Sequence, residues 1–371
     1  MRVRPARDRR DLKSFIDLPY RLHARDPIWV PPLRRDVAAL LDRSANPFFQ
    51  HAAAEYFLAE RGGRVVGRIA AIHNRLHNET HGDRVGFFGF FESEDDQAVA
   101  DVLFEGAAAW LRPRGLDTMR GPASFSINDE CGLLVKGFEY PPTVMMPHNP
   151  PYYVALLRQA GFVKAKDLIC FQGSDPEVAR ERLGRASELV TRRYGITIRP
   201  LDLRDFDHEV ARIKDLYNRG WEKNWGFVPM TEAEIDHLAA QFKPVVVPGL
   251  VPFAEKDGQV VGFAVGLPDF NVPLRRNRSG AFLPGLVRTL WMLKTKRIGR
   301  IRVLLLGILP EYRGKGVDAA LYNQIWVAGN AENVHWGEAG WLLEDNAAII
   351  AGMIKLGWSP YKTYRLYDRP L

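Results

Sequence analysis

The sequence predicts a mixed α/β fold made of two repeats of one unit, and two observations support this. The chain has 371 residues, 46% of them hydrophobic and 26% charged, which is longer than one typical core needs and ordinary for a globular protein. The element order strand, helices, hairpin, strand, helix, strand, helix, strand is predicted twice along the chain. We therefore predict domains at residues 1–175 and 196–371, a linking helix at 176–195, and an insertion at 268–302.

In the first repeat, a short strand at residues 2–4 precedes a helix at 11–22 and a second helix after the Pro-rich DPIWVPPL. The remaining predicted elements are a hairpin over Gly62-Gly63, the aromatic strand GFFGFFE at 86–92, an Ala-rich helix at 98–111, a strand from 117, a helix at 152–160 and a strand at 168–172. The irregular stretch at 121–151 is long for a loop in a compact domain, which indicates a functional role.

The second repeat begins with the strand ITIRPLDL. Its further predicted elements are helices at 206–218 and 232–242, a hairpin at 250–255 and 259–266, a strand at 303–308, a helix from 317, a strand at 337–343, a helix at 347–355 and a strand at 364–367.

The composition excludes several classes of protein. No apolar leader opens the chain, no apolar run reaches the about 18 residues that span a bilayer, and Cys131 and Cys170 are too few for a disulfide framework or a zinc site. We expect a cytoplasmic protein with no structural metal.

The basic charge is local. Residues 268–302 hold nine basic residues and one acidic residue, a net of +8, whereas the whole chain carries +7. Nucleic-acid binding would need a broader basic surface with interleaved aromatic residues, so no nucleic-acid partner is expected.

A strand-turn-helix at residues 303–322 is the main candidate site. The apolar run VLLLGI ends before Pro310, and the turn Arg313-Gly314-Lys315-Gly316 leads into a helix. Such a turn leaves backbone N–H groups free at the positive end of a helix, with two cations beside them. This pattern predicts a diphosphate site, and the alternative is an ordinary Gly-rich turn.

The segment LGILPEYRGKG, residues 306–316, resembles the coenzyme A-binding motif of the GNAT N-acetyltransferases, Arg/Gln-x-x-Gly-x-Gly/Ala after a bulged strand. Arg313 and Gly316 match, whereas Asp318 stands where the family has Gly or Ala. Asn346 and Gly357-Trp358 match the family's downstream Asn…Gly-Phe. Met353 occupies the position of the family's frequent Tyr, the general acid for the departing thiolate.

The first repeat is similar to the same family by element order and by RQAGF at 158–162, but four acids within residues 92–96 replace its phosphate turn and would repel a diphosphate. The segments GFFGFFE, NDECG, NPPYY and NWGF together resemble a bacterial subfamily of tandem acyltransferases that includes ceramide synthase-type enzymes. The resemblance implies a tandem GNAT fold with one working coenzyme A loop.

The resemblance also implies ligand contacts. The backbone of Leu306, Gly307 and Ile308 would hold the pantetheine arm of acyl-CoA, and the turn with the helix start would hold its diphosphate: Arg313, Gly314, Lys315, Gly316 and Val317. On the acceptor side we expect an aromatic and amide wall, with a capped and packed helix end as the alternative: Trp221, Asn224, Trp225 and Phe227.

Acylation of an amine needs a base that accepts a proton near neutral pH. Glu344, just before Asn346, and Asp269, after the hairpin, are candidates, and the alternative for each is a solvated or helix-capping carboxylate. Glu130 in the long loop of the first repeat is a further candidate, against simple turn chemistry for Asn128 and Asp129.

Two further patterns allow two interpretations. His73, His77 and His81 would share one helical face, but they lack matching acid or Cys ligands, which favours a structural role over a metal. In the insertion, apolar residues recur at helical spacing beside basic ones, which favours contact with an anionic membrane surface over docking on the protein itself: Phe282, Leu283, Leu286, Val287, Leu290 and Leu293.

These patterns predict an acyl-CoA-dependent N-acyltransferase acting on a lipid-like amine such as a sphingoid base, with possible contact at the inner membrane surface. The alternatives are an N-acetyltransferase for a small or protein amine, a non-catalytic acyl-CoA-binding protein, and aminoacyl transfer from tRNA.

Overall fold

A computed structural model describes residues 1–174, 177–221 and 224–371, without the side chains at 177–179 and 221. The chain forms two compact units. The first comprises residues 1–168, 274–286 and 362–371, and the second comprises residues 169–273 and 287–361.

The first repeat consists of the strands and helices that the predicted order requires, with one more helix and one more strand. The elements are β1 (Arg2–Pro5), α1 (Arg9–Leu22), α2 (Arg34–Leu41), β2 (Ala52–Arg61), β3 (Arg64–Asn74), α3 (Arg75–His81), β4 (Val85–Ser93), α4 (Gln97–Leu111), β5 (Thr118–Gly121), β6 (Leu133–Lys136), α5 (Tyr152–Gln159) and β7 (Val163–Gly173). The side chain of Asp8 caps α1, and that of Asp96 caps α4.

The sheet of the first unit has the order β1-β2-β3-β4-β5. Its neighbours are antiparallel except for β4 and β5, which are parallel. Helix α4 buries its apolar face on this sheet, where Val99 and Leu103 would contact a Cβ atom at Gly67. Parallel strands need a helical crossover, and α4 supplies it.

The second repeat has the same sequence of elements around its insertion. These are α6 (Glu177–Tyr194), β8 (Thr197–Pro200), α7 (Phe206–Trp221), α8 (Glu232–Phe242), β9 (Pro252–Lys256), β10 (Gln259–Pro268), α9 (Asn271–Leu274), α10 (Phe282–Lys294), β11 (Arg300–Ile308), α11 (Val317–Ala331), β12 (Trp336–Leu343), α12 (Ala347–Lys355) and β13 (Ser359–Pro370). A capping box between Thr231 and Glu234 starts α8.

The sheet of the second unit has the order β8-β9-β10-β11-β12. Strands β11 and β12 are parallel and α11 crosses between them, whereas the other neighbours are antiparallel. One face of α11 is buried in the core through Val317, Leu321 and Ile325. The mixed α/β architecture of two repeats is therefore confirmed.

Three details differ from the sequence-based prediction. Residues 75–81 form helix α3, which the predicted element order does not include, because Asn74 caps the helix start and Gly82 ends it in a left-handed conformation. Strands β7 and β13 are longer than predicted and each contributes to both units. The polar helix α6, expected to link the repeats, packs within the second unit, where Val190 is 1% exposed.

In the part of the chain that the structure describes, no helix has the length and apolar character needed to cross a membrane.

Candidate functional site

Strand β11 carries an extra residue at its centre. Its pairing with β10 steps from Val265↔Leu305 to Gly266↔Val303, so Leu304 is the residue without a counterpart. The pairing of β11 with β12 runs from Arg300↔Trp336 only as far as Val303↔Ala339. A bulge bends and twists a strand, so the two parallel strands diverge from this point toward their carboxyl ends.

The turn after β11 presents free backbone donors. Gly314 (φ +72°) and Gly316 (φ +82°) have left-handed conformations, which glycine adopts without steric cost. Gly316 is the N-cap of α11 and offers no side-chain cap. Among the described residues we find no protein acceptor for the N–H groups of Gly314, Lys315, Gly316 and Val317. A group of unpaired donors at a helix N-terminus fits a phosphate.

The two cations of the turn are placed differently. Arg313 is tied to the protein, since its Nε donates to the carbonyl oxygen of Ile308 (3.2 Å) and its terminal nitrogen to that of Gly220 (2.9 Å). The Nζ atom of Lys315 lies 4.8 Å from the ring centre of Tyr312. Arg313 therefore orders the turn in addition to placing positive charge beside it.

Asp318, the departure from the family motif, is an exposed residue in the first turn of α11. A carboxylate at this position is favoured by the helix dipole. One turn later, burial raises the pKa of Tyr322, and the nearby Asp318 raises it further. The Tyr322 hydroxyl therefore stays protonated throughout the physiological range.

Tyr322 is a candidate that the sequence patterns did not reveal. It packs in the same cluster as Met353 and Leu342, between α11, β12 and α12. Met353, 2% exposed, stands where the family has its tyrosine. The structure thus supplies a phenol from α11 next to the position where α12 lacks one. The i to i+4 spacing from Asp318 is a signal that could have found it.

The two predicted carboxylates of the second unit lie at different ends of the strands. Glu344 is half-buried and directly follows β12, at the edge where β11 leads into the glycine turn. Asp269 is 2% exposed and forms an ion pair with Arg300 (3.6 Å), at the opposite end of β11. Parallel strands end at one edge, so only Glu344 shares the edge with the turn. Asn346 is the N-cap of α12 without a side-chain capping bond.

A buried charged group lies on the same two strands. Glu338 (0% exposed) forms an ion pair with Arg302 (3.3 Å) and accepts a hydrogen bond from Tyr361, while Arg302 also donates to the carbonyl of Gly340 (2.9 Å). Arg302 was counted with the surface charge of the insertion, and its burial corrects that reading.

The predicted acceptor wall is only partly described. Phe227 is 4% exposed, belongs to the core and contacts Tyr217 (5.6 Å between ring centres). Asn224 and Trp225 are half-buried. The side chain of Trp221 lies outside the described residues. For Phe227, the packed helix end that we kept as an alternative matches the structure.

The candidates of the long loop belong to the first unit. Asp129 accepts hydrogen bonds from the N–H and hydroxyl of Ser126, which is turn chemistry, and Glu130 is exposed. Asn149 accepts from Leu134 N–H and donates to its carbonyl oxygen, so it holds β6 in place.

The three histidines also lie in the first unit. His77 is buried against Phe87 and lies 3.3 Å from Asp83. His81 is on the same helix, whereas His73 belongs to β3. No group of three or more possible metal ligands is found in residues 1–174, 177–221 and 224–371.

The insertion has one exposed apolar face. Leu283, Val287 and Leu290 are 68%, 64% and 41% exposed, and Trp291 is 49% exposed. Phe282, Leu286 and Leu293 are half-buried, so the predicted apolar stripe divides into a covered and an open part. Arg275 and Arg278 donate to backbone carbonyls of the first unit, whereas Lys294 and Arg297 are exposed.

A solved structure shares this architecture over the full chain. The tandem GNAT protein of the clavulanic acid biosynthesis pathway matches with a TM-score of 0.59 and 16% identity, over 100% of this chain and 98% of that one. Together with the bulged strand, the diverging pair and the glycine turn, this defines a tandem GNAT fold.

Two curated relatives match over nearly their whole lengths, while no family model matches the chain. The bacterial ceramide synthase of Caulobacter vibrioides is 39% identical over 100% of this chain and 97% of its own. The protein YghO of Escherichia coli is 34% identical over 100% and 95%. The chain belongs to the family of the bacterial ceramide synthase, as the sequence motifs indicated.

Proposed function

We propose that this protein transfers a fatty acyl group from acyl-CoA to the amine of a lipid, with a sphingoid base as the acceptor. The observation that carries the proposal is the free glycine turn at the N-terminus of α11, directly after a bulged strand that diverges from its parallel neighbour. The ceramide synthase named among its relatives supports the choice of acceptor.

In this proposal the N–H groups of Gly314, Lys315, Gly316 and Val317 bind the diphosphate of acyl-CoA. The pantetheine arm follows the backbone of Leu306, Gly307 and Ile308 into the space between β11 and β12. The β11 backbone after Val303 pairs with no residue of β12 in the described register, and a ligand held there has its thioester beside it. The N–H groups of this backbone stabilise the oxyanion.

The reaction then needs two proton transfers. Glu344 takes a proton from the amine, whose nitrogen forms the bond to the thioester carbon while the carbon–sulfur bond breaks. Tyr322 gives its proton to the departing thiolate and regains one from solvent. Asp269 forms an ion pair with Arg300 and contributes to the strand end rather than to the reaction. Asn346 starts α12 through its backbone carbonyl, which accepts from the N–H of Ile350.

The direct test is a transfer assay with sphinganine and hexadecanoyl-CoA, with N-acylated product measured by mass spectrometry. Acetyl-CoA with small amines is assayed in parallel. Turnover of small amines, without any acylated sphinganine at any acyl-chain length, would contradict the lipid acceptor.

The residue roles are tested by kinetics. Glu344→Gln is expected to lower kcat by about 100-fold, and Tyr322→Phe by about tenfold, at little change in KM. Asp318→Asn serves as a control for charge near Tyr322. A Glu344→Gln enzyme with unchanged kcat and an unchanged pH profile would remove Glu344 from the reaction.

We further propose that α10 contacts an anionic membrane surface, on the cytoplasmic side. Val287, Leu290 and Trp291 form an exposed apolar face, and Lys294 and Arg297 beside it match anionic headgroups.

Vesicles of phosphatidylglycerol should carry the protein in flotation, and neutral vesicles should not. Val287→Glu should abolish flotation, whereas Val327→Glu on α11, 55% exposed, should not. Equal flotation of both variants would contradict the contact.

A further inference from the structure

The second unit contains an apolar cavity between β11, α11 and α12. Its empty volume is about 600 Å³, counted with the part that is open to solvent. Ile301 and Val303 line it from the strand, Ile325 and Trp326 from α11, and Leu356 and Trp358 from the end of α12 and the start of β13.

Polar groups are few and lie at two places. Arg180 and Ser174 are exposed residues of the lining, and Tyr322 is the other polar residue. Protein interiors normally pack to near-crystalline density, because empty apolar space forfeits dispersion contacts and destabilises the fold. Ligand pockets are lined mainly by apolar and aromatic side chains with a few polar groups, and a lining of this kind suggests an apolar ligand rather than a packing defect.

The position of the cavity relates it to the glycine turn. Tyr322 and Trp326 follow Gly316 by about 9 and 15 Å along the axis of α11, at 1.5 Å per residue. Val303 is the last residue of β11 that pairs with β12, so the cavity begins where the two strands diverge. A thioester placed beside Tyr322 would therefore have the cavity directly next to it.

We propose that this cavity binds the hydrocarbon chain of the acyl donor and so sets the preferred chain length. The inference rests on the proposed function, since it assigns a place to one part of that substrate. An alkyl chain suits an apolar space lined by aliphatic and indole groups. Met353, a flexible side chain that also lines it, can adapt to chains of different length. Each methylene buried there should raise affinity by up to roughly fourfold.

The test fills the cavity from the strand. Val303→Phe should lower kcat/KM for hexadecanoyl-CoA by tenfold or more and leave acetyl-CoA turnover or binding within about twofold. Val327→Phe is the matched control, the same substitution on the exposed side of α11. An unchanged chain-length profile for a folded Val303→Phe protein would overturn the inference, as would an equal loss for short and long chains.

A second variant and a label cover the case in which Val303→Phe does not fold. Leu356→Ala enlarges the cavity and should shift the optimum toward longer chains. Hexadecanoyl-CoA with a terminal diazirine, photolysed on the unmodified protein, should label peptides that contain Trp326 or Trp358. Labelling elsewhere, in a protein that turns over long-chain acyl-CoA, would overturn the cavity assignment alone. Absence of turnover with every acyl-CoA would instead overturn the proposed function.

Discussion

The two units share the same strand geometry and use it differently. In the first unit, β3 and β4 step in register between Arg68 and Ala70, and β4 and β5 pair only from Val85↔Thr118 to Phe87↔Arg120. The first unit therefore repeats the bulge and the short parallel pairing of β11 and β12. Its own chain occupies the gap between the diverging strands, since the N–H of Ala123 donates to the carbonyl of Phe88 (2.8 Å).

The helix starts differ as well. Helix α4 is capped by the carboxylate of Asp96, and Glu94 forms ion pairs with Arg21, Arg61 and Arg64. Helix α11 begins at Gly316 without a side-chain cap. One helix N-terminus is thus satisfied by the protein's own anion, and the other is open to an anion from outside. A shared fold keeps a ligand site only where the chain leaves both the strands and the helix end free.

The largest expected effect comes from adding a side chain at Gly89, where the backbone of Ala123 lies against β4. A Cβ atom at Gly89 would lie 2.1 Å from the backbone oxygen of Ala123, which cannot move aside as a side-chain tip can. Gly89→Ala should lower the free energy of unfolding by about 3 kcal/mol or more, measured by urea denaturation. Gly184→Ala on α6, where a Cβ atom meets nothing within 4 Å, should be neutral or slightly stabilising. Equal stability of the two variants would show that Ala123 does not seal the strands.

The second effect concerns Glu92, the buried carboxylate of β4 next to the bulge of the first unit. Burial by itself raises the pKa of Glu92, but His23, Arg68 and the Tyr153 hydroxyl together hold it below its ordinary value of 4.5. A lowered pKa means that this stabilisation is present above pH 4.5 and is lost as the pH falls below it.

Glu92→Gln should therefore cost about 2 kcal/mol at neutral pH and flatten the acid limb of the stability profile. Thermal melts between pH 3 and pH 7 measure this. Glu105→Gln, 57% exposed, is the control and should change neither quantity. A Glu92→Gln profile parallel to that of the unmodified protein would contradict the assignment.

The third effect concerns the open helix start. Gly316→Ala should weaken coenzyme A binding by about tenfold, since a side chain at φ +82° strains the turn that aligns the N–H donors. Gly115→Ala in the first unit places alanine at a similar angle, φ +74°, and should leave the affinity unchanged. Isothermal titration with coenzyme A measures both. An equal loss in the two variants would indicate a global effect, not a binding turn.

The smallest effect concerns whether the acidic residues or the lack of space between the strands excludes coenzyme A from the first unit. Neutralising Glu94 and Asp95 by Glu94→Gln and Asp95→Asn should leave the stoichiometry at one coenzyme A per chain, because Ala123 still occupies the divergence. The same titration gives the stoichiometry. A second binding event would show that the acidic residues alone had excluded the ligand.

The sequence by itself determined the repeat, the element order and the glycine turn, because hydrophobic periodicity and glycine-rich turns are local properties. It also identified the family, since the spacing of Arg313, Gly316, Asn346 and Gly357 is readable without a structure. Only the tertiary structure decided which of these residues meet. Arg313 is tied to Gly220, Asp269 lies at the far end of β11, and Phe227 is in the core.

Tyr322 and the apolar cavity were not predictable for the same reason. Tyr322 and Met353 are separated by thirty-one positions in the chain, and their contact depends on how α11 and α12 cross the sheet. A cavity is a property of the space between elements, which no local pattern encodes. Local propensities thus specify which elements form, whereas packing specifies which side chains share a site.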